Sequence, residues 1–148
     1  MITGVDCTGV AVSFLCHDGD GNFLFHQRSQ HTRDEQGKWD WGSGKLEFGE
    51  TVPEALAREI KEEYGCDIVS VDEILPPTVW HSQTAGHDTH WVILNHVVRV
   101  NHSQVKNNEP RSISQVGWFK FNNLPQPLHR GVVKEIEQFK SVYEKYEK

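Results

Sequence analysis

Cysteine is scarce in this sequence. Its three thiols, Cys7, Cys16 and Cys66, are odd in number and far apart, and no C-x-x-C occurs. That argues against a disulfide-stapled scaffold and reads as reduced, mostly buried thiols of a cytosolic protein. Long hydrophobic runs are missing as well: nothing approaches the roughly 18 apolar residues that span a bilayer. The first residues carry neither a charged leader region nor a cleavage site, so the expectation is no membrane partner and a cytoplasmic location. A basic excess is absent too. With 15 Lys+Arg against 21 Asp+Glu, the formal net charge is -6. This argues against a partner that is polymeric nucleic acid, whose binders carry a basic footprint. It leaves room for a phosphate-bearing substrate, because a bound divalent cation inverts the local field. No repeat, low-complexity tract or long linker divides the chain, so its 148 residues read as one domain, 1–148. Monomer and homodimer both stay open.

What is present is aromatic bulk, with five Trp and seven Phe, enough to fill a core. "TGVAVSFLC" (8–16) is apolar and rich in β-branched residues, which predicts a buried strand. "HDGDGN" is a turn signal, and "FLFHQRS" (23–29) returns as the second arm of a hairpin. "WDWGSG" (39–44) reads as a short aromatic strand running into glycines. "CDIVSVDEILPPTVW" (66–80) predicts one or two strands broken at Pro76-Pro77. "HWVILNHVVRV" (90–100) and "QVGWFKF" (115–121) predict two more. In 131–148, Val132, Ile136, Phe139, Val142 and Tyr143 recur at helical spacing. Strands, a helix, strands and a helix in that order predict α/β or α+β, a mixed sheet between helices.

The clearest element lies at 52–64. Thr51 followed by Glu54 matches a capping box, Pro53 falls in the first turn, and Gly65 sits where a glycine ends a helix. Val52, Leu56, Ile60 and Tyr64 recur every four residues. Beside that stripe stand Glu59, Glu62 and Glu63, at i,i+3 and i,i+4. Three like charges so close cost a helix a few tenths of a kcal/mol per pair, about 0.2–0.5 kcal/mol, and more where partly buried. One reading is a solvated acidic face relieved by Arg58 and Lys61. The other is a site for a hard cation, since carboxylate oxygens suit Mg²⁺ or Mn²⁺. The glycine turn "GSGKLEFGE", which feeds this helix and lets backbone approach a ligand, adds weight to the second.

These residues resemble the signature of the Nudix family. Gly44, Glu50, Arg58-Glu59-Ile60, Glu62-Glu63, Gly65 and Cys66 stand at the spacing of its box, and all seven fixed identities match. The resemblance implies a Nudix-type α/β/α sandwich with a mixed sheet, and cleavage of a phosphoanhydride in a nucleoside diphosphate linked to another group. It implies Mg²⁺, with Mn²⁺ as a substitute. Carried over by position, Glu59, Glu62 and Glu63 would be metal ligands, with the Gly44 carbonyl as a further contact. One of the glutamates would act as general base, and members differ on which. Arg58 would hold a glutamate by a salt bridge, and Gly49 and Glu50 would fix the loop. Many members have Pro-Gly-Gly where this chain has Gly42-Ser43-Gly44, a departure that removes no ligand side chain.

Arg28 and Lys45 match positions where MutT-like members place a cation on substrate phosphates; solvated surface charge is the plainer account of each. Glu109 lies where an acid adds a metal contact or serves as base. The region "GWFKFNNLPQPL" also resembles MutT-like nucleotide pyrophosphatases, and Asn122 and Asn123 offer donor and acceptor to a base. Trp39, Trp41, Trp80, Trp91 and Phe48 suit stacking on a purine, though core packing accounts for any single one. His81, His87 and His90 are too few for a zinc site, with no Cys nearby. "GSGK" fails as a P-loop, because Trp39 and Leu46 stand where glycine and Ser or Thr are needed. The expected activity is hydrolysis of a nucleoside or oxidised deoxynucleoside triphosphate to monophosphate and pyrophosphate. A nucleotide-sugar or dinucleoside-polyphosphate hydrolase is the alternative enzyme. A non-catalytic nucleotide sensor is the alternative of another class.

Overall fold

The structure is a computed structural model that describes residues 1–84 and 86–148, without the side chains of residues 84 and 87. It is built around two central strands. β1 (Gly9–His17) and β7 (His87–Val100) run parallel, with Val12 opposite Leu94 and Leu15 opposite Val97. β1 is buried along almost its whole length, as its unbroken apolar run requires. Its other edge is shared. β2 (Phe23–Arg28) pairs with it at Cys16 and His17, and β4 (Gly42–Lys45) pairs with it from Ala11 to Phe14. β3 (Trp39–Asp40) and β8 (Ile113–Phe119) flank β2, while β5 (Ile68–Ile74) and β6 (Thr78–Thr84) divide the outer edge of β7. All pairings but β1–β7 are antiparallel, so the eight-stranded sheet is mixed.

A helix covers each face. Because strand side chains alternate between faces, neighbours part company. Val12, Phe14, Leu24 and Val98 go to one core with Leu56, Ile60 and Tyr64 of α1 (Val52–Tyr64). Leu15, Phe23, Phe25 and Val97 go to the other with Val132, Phe139 and Tyr143 of α2 (Arg130–Tyr143). Each such aliphatic or aromatic side chain contributes about 1.5–3 kcal/mol when fully buried. The expected α/β sandwich is therefore what forms.

Both ends of α1 follow the sequence. Thr51 Oγ1 accepts from the Glu54 N–H at 3.3 Å, and Gly65 takes φ 68° while its N–H donates to the Lys61 carbonyl at 2.9 Å. The aromatic strand at 39–44 forms as two short strands, β3 and β4, separated at Trp41. The histidine-bearing segment after Pro76-Pro77 is a hairpin: His81 faces His90 across β6 and β7, with ring centroids 5.3 Å apart. The side chain of His87, the third histidine considered for zinc, lies outside the described residues.

Candidate active site

β4 lies beside α1, and a tight turn connects them. The Glu50 N–H donates to the Glu47 carbonyl at 3.0 Å, and the Glu47 N–H donates back to Glu50 Oε1 at 3.0 Å. Gly49 takes φ 83° here, a left-handed conformation that strains other residues. Gly42, the first residue of β4, stands where many members have proline and has a local reason: a Cβ at position 42 would overlap the Phe14 ring.

Arg58 is the hub of this corner. Its Nε and Nη2 donate to the two oxygens of Glu50 at 2.7 and 2.9 Å. Its Nη1 donates to Glu59 at 2.7 Å and to Glu62 at 3.3 Å, and its Nη2 also reaches the Lys45 carbonyl at 3.0 Å. The hydrogen bonds from Arg58 pull the Glu50 carboxyl down to about 2, and the same bonds raise the guanidinium further above its ordinary value. A single planar cation thus ties the turn, the strand and two acids of the helix together.

The three clustered glutamates separate by environment. Glu62 is half exposed, at 53%, whereas the Glu59 side chain is 13% exposed and lies against the backbone of Gly44. Burial raises the Glu59 carboxyl, Arg58 opposes this, and Glu62 and Glu109 add to the rise. Glu63 is not on the open ridge but buried, at 6%. It accepts a hydrogen bond from the Ser43 backbone, while its Oε2 has no partner among the described residues. Burial, then Glu109 and Glu59, push its carboxyl well above the usual range. Glu109 reaches this region because the β7–β8 loop caps α1. The Asn108 N–H donates to the Glu63 carbonyl at 3.0 Å, its Nδ2 to the Lys61 carbonyl at 3.1 Å, and the Lys106 N–H to the Tyr64 carbonyl at 3.0 Å. The Glu63 and Tyr64 carbonyls are among those that the last helical turn leaves free, and the Lys61 carbonyl takes Asn108 as a second donor beside the Gly65 N–H. Burial, with Glu62 nearby, raises the Glu109 carboxyl as well.

The donor set fits a hard divalent cation. The four carboxylates supply oxygen ligands only, burial and neighbouring charge hold the proton affinity of Glu59, Glu63 and Glu109 up, and a buried Glu63 oxygen is unsatisfied. Among the described residues no three carboxylates, imidazoles or thiols converge as a closed metal centre; Arg58 holds Glu59 and Glu62 instead.

Two cavities adjoin this corner. One, of about 320 Å³, is lined by Glu63, Glu109, His26 and His31. The other, of about 270 Å³, is lined by Trp41, Trp80, Trp91, Gly44, Lys45 and Glu135. Arg28, Arg33, Asp40 and Ser43 line both. Arg28 is held by Asp34 at 2.9 Å and Asp40 at 3.3 Å, while Arg33 is exposed and has no ion-pair partner among the described residues.

Of the residues singled out in the sequence, Gly44, Arg58, Glu59, Glu62, Glu63, Glu109, Arg28 and Lys45 are brought to this corner and its cavities. Asn122 and Asn123 line neither cavity. They stand exposed in a 3-10 turn whose Phe121 packs on Phe23, with ring centroids 4.4 Å apart, at the far end of the hairpin. Trp39 packs on Phe119 in the core, and Phe48 is fully exposed. Three residues at the cavities were missed. Arg33 lies in a polar loop with no pattern to mark it. Asp40, an acid between two buried tryptophans, and Glu135, an acid three residues after Val132 and four before Phe139 on the apolar stripe of α2, were each a readable signal.

A model of the NUDIX domain family matches residues 8–139. The fold resembles that of a MutT NUDIX hydrolase from Burkholderia pseudomallei, with TM-score 0.76 and 27% identity, covering 88% of this chain and 97% of that one. It also resembles the NUDIX domain of Shewanella oneidensis NrtR, solved with ADP ribose, with TM-score 0.72 and 20% identity over 91% of this chain and 88% of that one. Among curated relatives, human 8-oxo-dGDP phosphatase NUDT18 is 28% identical over 115 residues, 75% of this chain and 32% of the relative. NAD-capped RNA hydrolase NudC of Citrobacter koseri is 24% identical over 103 residues, 66% of this chain and 35% of that relative. The chain thus spans about a third of the length of these curated relatives. A glutamate-bearing helix clamped by Arg58 to a glycine turn, and a domain match over most of the sequence, lead to one conclusion: this chain belongs to the NUDIX family.

Proposed function

We propose that this protein hydrolyses a phosphoanhydride bond of a nucleotide, with a nucleoside triphosphate as the leading substrate and monophosphate and pyrophosphate as products. One observation carries the reading. A carboxylate-lined cavity and a tryptophan-lined cavity share Arg28 and Arg33 at their junction. The first suits a cation and the polyphosphate. The second has aromatic walls of the kind that stack on a base. The two arginines between them suit phosphate oxygens.

Glu59, Glu62 and Glu63, with the Gly44 carbonyl, would hold Mg²⁺ or Mn²⁺, and Glu109 stands near enough in charge to join them or to serve as base. When bound, such a cation neutralises phosphate oxygens and lowers the pKa of coordinated water. The chain's own residues do the rest. Arg33, Arg28 and Lys45 orient the phosphates. A glutamate of this cluster takes the proton as the water oxygen bonds to phosphorus, and the bond to the departing pyrophosphate breaks. Arg58 does not touch substrate in this scheme; it positions Glu59 and the turn.

The test is a panel of nucleoside triphosphates, nucleotide sugars and dinucleoside polyphosphates with Mg²⁺, followed by release of pyrophosphate, phosphate and sugar phosphate. Pyrophosphate from triphosphates supports the reading. Sugar phosphate alone moves it to the nucleotide-sugar class, and tight binding with no release makes the protein a sensor.

A further inference from the structure

Tyr64 is the last residue of α1 and is completely buried. Its hydroxyl meets one partner among the described residues, Nδ1 of His26 on β2, at 2.6 Å. The direction of that bond follows from burial. A hydroxyl proton enclosed in the core needs an acceptor, and Nδ1 is the atom there to accept it. Nδ1 therefore keeps its lone pair, the imidazole is neutral, and its single proton sits on Nε2. Burial favours the same state: with Arg28 and His129 it pushes the His26 imidazolium down to about 4, against the pull of Asp40.

The second nitrogen faces outward. His26 as a whole is 4% exposed. Nε2 makes no hydrogen bond among the described residues, yet it is not one of the enclosed, unpartnered atoms, which are Glu63 Oε2 and Glu135 Oε2. The small accessible part of the ring thus includes Nε2. It opens into the carboxylate-lined cavity, the one of the two at this corner that His26 lines. Asp40 stands opposite His26 across β2 and β3, but it takes its hydrogen bond from Arg28.

This protonation state narrows what His26 can do. A nitrogen that carries its proton can neither ligate a cation nor take a proton from water, so His26 is neither a metal ligand nor the general base. Being neutral, it does not repel a cation held beside Glu63 and Glu109, as an ammonium would. What it offers the cavity is one fixed N–H, and the carboxylates there leave that proton unclaimed. Packing alone would be served by apolar side chains at both positions, since replacing a buried polar pair together costs little.

We propose that His26 is a substrate-contacting residue: its Nε2–H, fixed by the Tyr64 hydroxyl, donates a hydrogen bond to a phosphoryl oxygen of the polyphosphate in the carboxylate-lined cavity. This rests on the reading of that cavity as the polyphosphate site. Tyr64 does not touch the ligand; it acts through His26, as a positioning residue.

The experiment begins with NMR of the metal-free protein, labelled with the heavy nitrogen isotope at histidine, at neutral pH. The His26 ring is expected to be neutral with its proton on Nε2. A proton on Nδ1, or a charged ring, overturns the proposal. Inorganic pyrophosphate with Mg²⁺ is then added, with its binding followed by calorimetry, and the Nε2–H resonance is expected to shift. Two variants, each checked for folding by its melting curve, read the contact in turnover. His26→Asn keeps an oxygen to accept from Tyr64 and loses the outer donor, whereas His26→Gln returns an N–H near the place of Nε2. The first is expected to lower kcat/KM about tenfold or more, the scale of one lost donor to a reacting phosphate, and the second to recover part of the loss. Equal losses in both variants are the mark of a structural role and overturn the proposal. If triphosphates are cleaved by wild type and His26→Asn alike, and pyrophosphate binds without moving Nε2–H, the contact falls and the hydrolase reading stands. If Nε2–H responds to pyrophosphate but no nucleotide is cleaved, the hydrolase reading falls and the contact stands.

Discussion

The Glu59 carboxyl group occupies the space that a side chain at Gly44 would fill: a Cβ built there overlaps its Cδ and both oxygens. Gly44 has an ordinary backbone conformation, so this is a steric requirement and not one of φ. Gly44→Ala therefore has to displace Glu59 from the strand and from Arg58. The expected outcome is loss of nucleotide hydrolysis by two orders of magnitude or more, about the scale of a misplaced reacting group. Thermal stability should fall by only about 1–3 kcal/mol, the usual cost of overpacking. Turnover and a melting curve on the same preparation check this, and a variant with near wild-type turnover would detach Glu59 from the chemistry.

Arg58 offers a separate handle, since it contacts the turn, β4 and two glutamates but neither cavity. Replacing it with lysine keeps the charge and loses the fork that holds Glu50, Glu59 and the Lys45 carbonyl at once. A drop of about 10–100-fold in kcat/KM is expected, the range seen when the support behind a metal ligand is removed. Its stability effect has a pH signature. Arg58 holds the Glu50 carboxyl at about 2 in the folded chain, below the unfolded value of about 4.3. A depressed carboxyl stabilises above the unfolded pKa and loses that contribution as pH falls through the folded one. The gap in melting temperature between wild type and Arg58→Ala should therefore be full at pH 6 and close as pH drops from 4 towards 2.

The fold was largely legible in the sequence because its signals are local. Capping by Thr51, the αL glycine at Gly65 and the four-residue recurrence from Val52 to Tyr64 place α1 to the residue. The alternation that sends Phe14 to one core and Leu15 to the other was visible as a single apolar run, but not which face each would take. At the site, residues inside the glycine turn and helix were readable, because spacing along one element fixes them. What could not be read is set by distant pairing. Glu63 looks like a member of an open ridge until Ser43 and the β7–β8 loop cover it. Asn122 and Asn123 look free to reach a ligand until Phe121 packs on Phe23 and carries them away. Trp80 and Trp91 become cavity walls through the β6–β7 pairing, a contact that no window of sequence contains.

Glu63 links charge to stability through a cation. It is buried, one oxygen lacks a partner, and neighbouring carboxylates crowd it. Without a cation, Glu63→Gln should leave the melting temperature equal to or above that of the wild type at pH 8, because like-charge repulsion is relieved. Adding millimolar Mg²⁺ or Mn²⁺ should raise the wild-type melting temperature and leave that of the variant nearly unchanged, since ligand binding stabilises only a state that binds it. Hydrolysis by Glu63→Gln and by Glu62→Gln should fall by orders of magnitude. A wild-type melting curve indifferent to both cations, with and without nucleotide, would remove the metal from this site.

Glu135 should show the opposite pH behaviour to Glu50. Burial, followed by the charge of Asp40, pushes its carboxyl up to about 7, with the Thr78 hydroxyl opposing. The groups that bear on it are Asp40 from β3, the Thr78 hydroxyl from β6 and Tyr143 from the end of α2, and Arg28 and His129 share its cavity. A carboxyl whose folded pKa lies above its unfolded value of about 4.3 weakens the fold as pH rises through the interval between them. Glu135→Gln should therefore melt higher than the wild type at pH 8, and the difference should shrink as pH falls and vanish only below about 4, where the carboxyl is protonated in the folded and unfolded chain alike. Melting curves of the two proteins over this range read the effect. A gap in melting temperature between the two proteins that does not change with pH would show that Glu135 does not carry this titration.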